Sequence, residues 1–535
     1  MRASTISSLF GLGFFTLLAL GLGGCPQSTS EPCQGSQCQL LQDDGGVEER
    51  TKRPASLTIS NVTVDGNPSR KVRQGFGGAP SNGTTTVHLF GAHLESATNV
   101  TVGDGPDALP GTITSKTSTE LTFTVGIRHG APIGSQQVKV TAPDASATFA
   151  DAIVITAITA APSGSDDLDV GLDSAGTDED PVRSMAKGIM LAAAGDTVFL
   201  KNGTYDMDHG ETFAIATKHQ LIPNVPPDIT IKGESRNGTL LQGPIVTDCS
   251  ISDNHFVGLA TAGIARIETL GIFGFCTSGI SAKSGVAIRE VTIRGVGTGI
   301  SAGPNVTIDS VDISEADEGV LLSNRTGAVT ISNSHVHHSS TAIYGVAEGH
   351  LVLIASEIDH SGPRNDVPSR GGIVVSGPTT IADVKIHENE SFGVTTSEFG
   401  STVPLDITRS QFWGNRSAAI FVSAPGTLKV RRSTFNHDSK AIHVTSDSTV
   451  IDLGTPDSPG ENSFTICSTC DGVFDARPAA VEQLRPITLT GNIWSGGEPP
   501  RGCSDVDHPR RTDPPRLWHM ENPGTCGSKG NVIVN

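Results

Sequence analysis

The chain has few aromatic side chains, an excess of acidic over basic residues, and almost no long apolar segment. It contains 3 Trp and 2 Tyr in 535 residues, and 56 Asp and Glu against 37 Lys and Arg give a net charge of −19. This charge makes nucleic acids and anionic lipid headgroups poor partners. After residue 22 no apolar run approaches the ~20 residues needed to cross a bilayer. The scarcity of Trp and Tyr argues against a high-affinity carbohydrate groove.

A short repeat dominates the region between residues 290 and 445. Each copy has an apolar residue between two outward-facing ones, followed by a small residue and a branched aliphatic, as in Thr292-Ile293-Arg294 with Gly299-Ile300. The central apolar residues lie 20 to 28 positions apart, and they are Ile293, Ile313, Val336, Ile358, Ile386, Phe412 and Phe435. The spacing never falls below 20 residues, and some copies contain up to eight more. This indicates stacked coils whose loops differ in length.

The repeat predicts a parallel β-helix. Alternation with period two is typical of strands, and periods of roughly 20 to 50 residues indicate solenoids or propellers. No leucine-rich frame recurs, and a propeller blade needs roughly 40 residues. Short coils can bury their inward Val and Ile only against the coils above and below. We therefore predict an all-β fold with a single-stranded parallel β-helix over residues 181–465.

The N-terminus reads as an export signal, with an apolar run from Leu9 to Leu22. The sequence Leu22-Gly23-Gly24-Cys25 resembles the bacterial lipobox, which implies a signal peptide at 1–25 and lipidation of Cys25. The alternative is an ordinary cleaved signal with Cys25 as a disulfide partner. The resemblance implies a bacterial cell-envelope protein, either an outer-membrane lipoprotein or a cell-surface protein, with the lipid as its one membrane contact.

Composition divides the remainder of the chain. Residues 26–54 are polar and predict a disordered tether. Residues 55–157 contain short strand-like runs that predict a small antiparallel sandwich. Their segments Val87 to Leu94, Val100 to Gly103 and Leu121 to Val125 resemble an IPT/TIG domain, an immunoglobulin-like module, which implies a spacer or interaction role. Residues 158–180 read as a linker, and residues 466–535 as a disulfide-stapled cap.

A capping helix is predicted over Pro181 to Ala194, ahead of Gly195-Asp196-Thr197-Val198-Phe199-Leu200. This stretch, continued by Gly203-Thr204-Tyr205, resembles the entry segment of bacterial pectate-lyase-like β-helix proteins of uncharacterised function. The resemblance covers residues 165 to about 465 and implies a right-handed helix whose apolar first coil is covered by the capping helix.

Nine cysteines leave an even eight once Cys25 is set aside, as expected in an oxidising compartment. Sequence proximity suggests the pairs Cys33 with Cys38 and Cys249 with Cys276. Two further bridges are expected among the last four, Cys467, Cys470, Cys503 and Cys526. Their connectivity stays open, and a zinc site there is the less favoured alternative.

Equivalent outward positions of stacked strands form straight rows about 4.8 Å apart per coil. The first predicted row is Thr292, Asp312, His335, Glu357, Lys385, Gln411 and Thr434. The second predicted row is Arg294, Ser314, His337, Asp359, His387, Trp413 and Asn436. Their central members are the best candidate site, with Asp359 and His337 as an acid–base pair. Two inserts, 361–370 and 388–401, add Arg364 and Arg370 as candidates for binding acidic groups on a glycan.

Three functions remain open. We favour glycan or surface contact or adhesion without catalysis, using Asp312, His335, His387, Trp413 and the two inserted arginines, with an extracellular polysaccharide or an envelope protein as partner. The alternative is a polysaccharide lyase, hydrolase or epimerase acting on an acidic glycan through Glu357, Asp359, His337 and Lys385. The third is an architectural spacer. Motifs of polygalacturonases, pectate lyases and mannuronan epimerases are absent.

No cofactor is expected, except Ca²⁺ under the lyase alternative. The pair His335 and His337 shares one face, whereas His338 is expected to point elsewhere. A third ligand from His360 or His387 would therefore be needed for a metal site, and we expect no metal there.

Overall fold

The computed structural model describes residues 56–64, 70–75, 84–167, 176–207, 210–216, 221–222, 224–244, 255–323, 326–345, 349–362, 371–397, 402–436, 438–446, 449–465, 472–476, 490–494, 502–503 and 518–520. The predicted signal peptide, lipidation site and tether lie outside these residues, as do Arg364 and Arg370. The pairing of Cys249 with Cys276 stays a prediction because Cys249 also lies outside them, and the side chains of the other cysteines are not described. No helix in the described part of the chain is long and apolar enough to cross a membrane.

Residues 58–156 form an antiparallel β domain with its own core. The strands are Thr58–Val64, Lys71–Arg73, Thr85–Ala92, Asn99–Val102, Leu109–Lys116, Glu120–Val125, Gly134–Ala142 and Ala145–Thr156. The strand Lys71–Arg73 pairs in parallel, and the other pairs are antiparallel. Alternate residues such as Val87, Leu89 and Phe123 are fully buried. The predicted β unit is confirmed, while its assignment as IPT/TIG stays a prediction.

Three largely parallel sheets form most of the remaining described structure, and neighbouring strands of each sheet come from successive coils. Sheet 1 contains Ile158–Ala160, Thr197–Leu200, Ile229–Gly233, Ala265–Glu268, Ala287–Arg289, Thr307–Asp309, Ala328–Ser332, His350–Ile354, Thr379–Ala382, Val403–Thr408, Gly426–Arg431 and Thr449–Asp452. Sheet 2 contains Gly203–Tyr205, Thr239–Gln242, Gly271–Phe273, Thr292–Arg294, Asp312–Ser314, His335–His337, Glu357–Asp359, Lys385–His387, Gln411–Trp413, Thr434–Asn436, Ser463–Thr465 and Ile493–Trp494.

Sheet 3 has a parallel centre and antiparallel ends. Its strands are Ala214–Ala216, Leu221–Ile222, His255–Ala260, Ser278–Ala282, Thr298–Ala302, Glu318–Leu322, Thr341–Gly345, Gly371–Val375, Phe392–Thr396, Ala418–Val422, Lys440–Val444, Gly472–Ala476, Gly502–Cys503 and Trp518–Met520. The first two strands pair antiparallel, as do the last two. The all-β prediction with a parallel β-helix is therefore confirmed.

One continuous apolar interior runs along the coils. Ile293, Ile313, Val336, Ile358 and Ile386 are each at most 1% exposed and belong to a single core cluster. Phe412, Phe435 and Phe464 continue this line as parallel-stacked rings. Because side chains alternate along a strand, burying these residues forces their neighbours outward. The interior therefore fixes which residues form the outer face of sheet 2.

The β-helix extends beyond its predicted ends. Residues Ile158–Ala160 were expected in a linker, but they pair in parallel with Thr197–Leu200 as the first strand of sheet 1. At the other end, Gly472–Ala476 and Ile493–Trp494 add strands to sheets 3 and 2 beyond residue 465. Short runs such as Ile158–Ala160 carry too little periodicity to be separated from a linker in the sequence.

The predicted capping helix is present but shorter, and it spans Met185–Leu191. The Ser184 hydroxyl accepts a hydrogen bond from the Lys187 N–H, which satisfies a donor at the helix start. The Glu211 carboxylate accepts hydrogen bonds from the Met185 and Ala186 N–H groups. Met185 and Ile189 pack into the β-helix core, so the helix covers the first coil.

The corners between sheets use left-handed backbone and buried polar side chains. From sheet 2 to sheet 3, the residues with positive φ include Gly295, Glu315, His338, His360, Glu388 and Gly414. Just beyond them, Asn389, Asn415 and Asp438 stack in the corner, where each side-chain Oδ1 accepts from a backbone N–H of the preceding coil. Asn389 is therefore a structural residue of this corner.

Candidate functional site

The two predicted outer rows of sheet 2 are present in the predicted register. Asp312, His335, Glu357 and Lys385 pair in sequence on neighbouring strands, and Gln411 follows them. Ser314, His337, Asp359, His387 and Trp413 form the parallel row two residues later on each strand. Both rows lie on the outer face, because the residue between them on every strand is buried.

The imidazoles and carboxylates of these rows pair diagonally. His337 Nε2 lies 3.1 Å from Asp312 Oδ1, on the preceding coil and in the other row. His335 Nε2 lies 3.2 Å from Asp359 Oδ1, on the following coil and in the other row. The rings of His335 and His337 stack with centroids 4.2 Å apart. The predicted acid–base pairing of Asp359 with His337 stays a prediction, and the structure places His335 against Asp359 and Asp312 against His337.

Asp312, His335 and His337 form a first cluster. One ligand atom from each residue lies within 4.8 Å of the other two. Arg236 reaches this cluster from an earlier coil, and its Nη2 lies 3.8 Å from Asp312 Oδ2. The same guanidinium donates hydrogen bonds to the Thr292 hydroxyl and the Val291 carbonyl. The first cluster is therefore held against a fixed cation.

Glu357, Asp359 and His387 form a second cluster. Here also one ligand atom from each residue lies within 4.8 Å of the others. His387 Nε2 lies 2.9 Å from Glu357 Oε1 and 3.6 Å from Asp359 Oδ2. Asp359 and His387 are each 7% exposed, so the cluster is seated in the surface. Lys385 Nζ lies 3.8 Å from the other Glu357 oxygen, Oε2, which agrees with the contact expected between these two residues.

His338, His360 and Glu388 form a third row at the corner that follows sheet 2, an arrangement that the sequence did not predict. His360 Nδ1 lies 3.4 Å from Asp359 Oδ2, and His360 Nε2 lies 3.1 Å from Glu388 Oε2. His338 was expected to point away from His337, but its Nδ1 lies 2.7 Å from His337 Nδ1. The left-handed corner turns these side chains back toward the rows, and period-two alternation does not anticipate that turn.

Hydrogen bonding between imidazoles and carboxylates shifts the pKa values of three groups. A hydrogen bond with His337 holds the pKa of Asp312 below its usual value, and the bond with Asp359 raises the pKa of His335. Burial acts to raise the pKa of Asp359. The hydrogen bond with His335 and the neighbouring imidazoles outweigh that effect, and the Asp359 pKa is lowered. These directions favour charged carboxylates beside a charged imidazole.

Sequence comparison finds limited similarity to a curated protein. The uncharacterised protein YwoF of Bacillus subtilis (strain 168) is 30% identical over 145 residues, which is 26% of this chain and 28% of YwoF. The chain thus spans little more than a quarter of that relative.

Structural comparison finds β-helix proteins of low similarity. The catalytic unit of an α-1,3-glucanase from Streptomyces thermodiastaticus is 11% identical, over 77% of this chain and 89% of that one, with a TM-score of 0.29. A mutant of the periplasmic alginate epimerase AlgG is 11% identical, over 56% of this chain and 77% of that one, with a TM-score of 0.28. A Yersinia enterocolitica exopolygalacturonase is 8% identical, over 76% and 93% of the two chains, with a TM-score of 0.19.

The functional roles assigned from the sequence to residues of the two rows stay predictions. Both clusters lie between Asp312 and His387, inside the part of the chain with a family match. Residues 271–454 match the family described as the right handed beta helix region.

Proposed function

We propose that the outer face of sheet 2 binds an extended extracellular polysaccharide without transforming it. The two outer rows extend across seven coils, from Thr292 to Thr434 and from Arg294 to Asn436. At ~4.8 Å per coil this face is roughly 29 Å long, which suits several sugar residues of one chain. Its charged and hydroxyl side chains offer the donors and acceptors that a hydroxyl-rich polymer needs.

The diagonal pairing of His335 with Asp359 and of His337 with Asp312 carries this proposal. Paired side chains are already ordered, so a ligand that binds them loses little conformational freedom. The pKa directions favour binding over catalysis. A general acid needs a carboxyl group with a raised pKa, whereas the pKa values of Asp312 and Asp359 are lowered.

Trp413 supports the same proposal. The indole is partly exposed in the second row, one coil before its last member Asn436, and one side of it stacks on His387. An aromatic ring held in this way offers a rigid apolar surface with one polar group. It is the only Trp in the two outer rows, so it is expected to anchor one sugar residue while polar groups position the others.

The proposed setting is the bacterial cell envelope, with the chain attached to the membrane through a lipid on Cys25. The antiparallel domain would act as a spacer before the β-helix, and an envelope protein would be the alternative partner. These statements rest on the lipobox and IPT/TIG resemblances of the sequence.

A second candidate function is cleavage or epimerisation of an acidic glycan. It is favoured by Glu357 and Asp359, which present carboxylate oxygens within 4.8 Å of each other with His387 beside both. Retaining glycosidases place two carboxyl groups about 5 to 5.5 Å apart. Catalysis would require one of these carboxyl groups to hold a proton when the glycan is bound.

Both functions are tested with the purified full-length protein and a panel of polyuronates and neutral polysaccharides. Binding is measured by calorimetry, and turnover is measured from new reducing ends and double-bond absorbance. We expect binding without product, weakened about tenfold or more in Trp413→Ala and Asp312→Asn. The matched control Phe90→Ala removes an exposed aromatic of the antiparallel domain and should leave binding unchanged.

Two results would overturn the proposal. Absence of binding to every glycan would remove the binding function, and equal weakening by Phe90→Ala would remove the assignment to sheet 2. Product that disappears in Glu357→Gln and persists in the surface variant Glu390→Gln would establish the catalytic candidate instead.

A further inference from the structure

The second cluster presents three donor atoms of the types that bind transition metals. Glu357 and Asp359 lie two residues apart on one strand, so both side chains project from the same face. His387 is the strand neighbour of Asp359 on the next coil. Its Nε2 faces Glu357 Oε1 at 2.9 Å and Asp359 Oδ2 at 3.6 Å. The β-helix interior fixes all three backbone positions, because Ile358 between the two carboxylates and Ile386 next to His387 are fully buried.

The two separations from His387 Nε2 match the edges of a small coordination shell. With metal–ligand distances of about 2.1 Å, two ligands of a tetrahedral site lie about 3.4 Å apart. The distances of 2.9 and 3.6 Å from His387 Nε2 bracket that value. A neutral or charged imidazole carries at most one hydrogen on Nε2 and cannot donate fully to both carboxylates. A cation in front of Nε2 would engage both.

The second nitrogen of His387 also has a suitable partner. Nδ1 lies 3.2 Å from Glu388 Oε2, and His360 Nε2 contacts the same oxygen at 3.1 Å. A histidine that binds a metal usually donates its other N–H to a carboxylate, which fixes the ring and its tautomer. Trp413 stacks on the same ring and restricts its rotation. The His387 ring is thus oriented both by Glu388 and by Trp413.

From this geometry we propose that Glu357, Asp359 and His387 bind one divalent first-row transition metal ion of the Zn²⁺ class, with Glu388 positioning His387. One nitrogen and two carboxylate oxygens suit Zn²⁺, whereas Ca²⁺ takes six to eight oxygen ligands. Three protein ligands leave a fourth position for an oxygen of a bound molecule. The inference goes beyond glycan binding, because the site is complete without a glycan.

The first cluster is the less suitable of the two. The Arg236 guanidinium lies 3.8 Å from Asp312 Oδ2 and is held there by hydrogen bonds, so its charge opposes a second cation. Lys385 Nζ also lies 3.8 Å from Glu357, but it contacts Oε2, whereas His387 contacts Oε1. The Lys385 side chain is 53% exposed and is free to move into solvent when a metal binds.

The test uses the full-length protein without a histidine tag, treated with chelator and then dialysed. Titration with ZnCl₂ is followed by calorimetry, and retained metal is counted by elemental analysis after desalting. Cobalt(II) spectra separate this nitrogen–oxygen site from any site made by cysteine thiolates, because only thiolates give intense sulfur-to-cobalt absorption. We expect one equivalent of Zn²⁺ per chain, a cobalt spectrum without sulfur bands, and no competition from Ca²⁺.

The variants identify the ligands. His387→Gln, Asp359→Asn and Glu357→Gln should each weaken Zn²⁺ binding more than Glu388→Gln does, for which a loss of about 10- to 100-fold is expected. Glu390→Gln, an exposed carboxylate nearby, should bind as the unmodified protein does. Circular dichroism establishes that each variant is folded. Glu357, the most exposed of the three ligands, keeps the test valid if variants of the buried pair unfold.

The proposal is overturned if the chain retains no Zn²⁺, or if folded Glu357→Gln binds it unchanged. It is also overturned if Asp312→Asn abolishes binding while Glu357→Gln does not, since the ion would then occupy the first cluster. None of these measurements includes a glycan, so their outcome is independent of the polysaccharide experiment.

Discussion

His387 and Trp413 stack face to face on neighbouring coils, with ring centroids 3.9 Å apart and ring planes 10° from parallel. The stack closes one side of the second cluster, and His387 is 7% exposed beneath it. Aromatic pairs of this kind contribute about 0.5 to 1.5 kcal/mol beyond the area that they bury. The contact therefore stabilises the fold and also keeps the imidazole plane fixed.

Replacing this indole tests the stack directly. We expect Trp413→Ala to lower the free energy of unfolding by about 1 to 3 kcal/mol, because it loses both ring contact and buried area. Trp413→Phe should retain most of that stability, since a smaller ring still covers His387. Urea denaturation followed by circular dichroism measures both. Equal stability of the alanine and phenylalanine variants would contradict a stabilising role for the ring contact.

Phe412 and Gln411 are adjacent residues on opposite faces of one strand, and they offer a matched comparison. Phe412 is 1% exposed and stacks on Phe435, while Gln411 is exposed in the first row. We expect Phe412→Ala to cost about 3 to 5 kcal/mol of unfolding free energy and Gln411→Ala about 0.5 kcal/mol or less. Hydrogen exchange would report whether the loss is confined to neighbouring coils. Similar costs for the two variants would contradict the assignment of inner and outer faces.

The sequence predicted the register of the outer rows because the inward residues leave little choice. Shifting the strand Glu357–Asp359 by one residue would expose Ile358 and bury Glu357 and Asp359 together. Alternating patterns therefore determine which residues face outward on each coil. They also place equivalent residues such as Glu357 and Lys385 on neighbouring strands, as observed.

The partners within the site were not predictable in the same way. His335 contacts Asp359 and not its strand neighbour Glu357, because a side chain can reach diagonally toward an adjacent coil. The role of His360 and Glu388 depends on the left-handed backbone at the corner, with φ of 45° and 52°. No local periodicity marks a non-glycine residue in that conformation. The strand pattern in the sequence therefore does not determine which side chains contact each other diagonally or how the corner residues are oriented.

The buried amide side chains at the corner between sheets 2 and 3 are expected to stabilise the fold. The Asn415 Oδ1 accepts hydrogen bonds from the Asn389 backbone and side chain, and the Asn415 Nδ2 donates to the Ile386 carbonyl. Asn415→Ala would remove the acceptor of the buried Asn389 N–H and one partner each of the Asn389 side chain and the Ile386 carbonyl, so we expect a loss of about 2 to 4 kcal/mol. Asn99→Ala, at an exposed position of the antiparallel domain, is the control and should change stability little. Thermal or urea denaturation measures the stability of both variants. Equal stability of the two would contradict a structural role for the Asn415 side chain.

Asp438 follows Asn389 and Asn415 in the same corner, and its carboxyl group should make the free energy of unfolding depend on pH. It accepts hydrogen bonds from the Asn415 N–H and side chain, but burial raises its pKa to about 7. Its usual pKa is near 3.8, so the folded chain holds a proton that the unfolded chain releases between about pH 4 and pH 7. The free energy of unfolding therefore falls as pH rises through that window, by about 4 kcal/mol.

Asp438→Asn keeps the acceptor oxygen for Asn415 and removes the ionisation. We expect the variant to match the unmodified protein near pH 4 and to be more stable above pH 7. Glu211 also has a pKa raised to about 7 by burial, but it titrates in both proteins. The difference between their urea denaturation midpoints, measured from pH 4 to 8, thus isolates Asp438. A difference that stays constant across this range would mean that Asp438 is ionised in the folded chain.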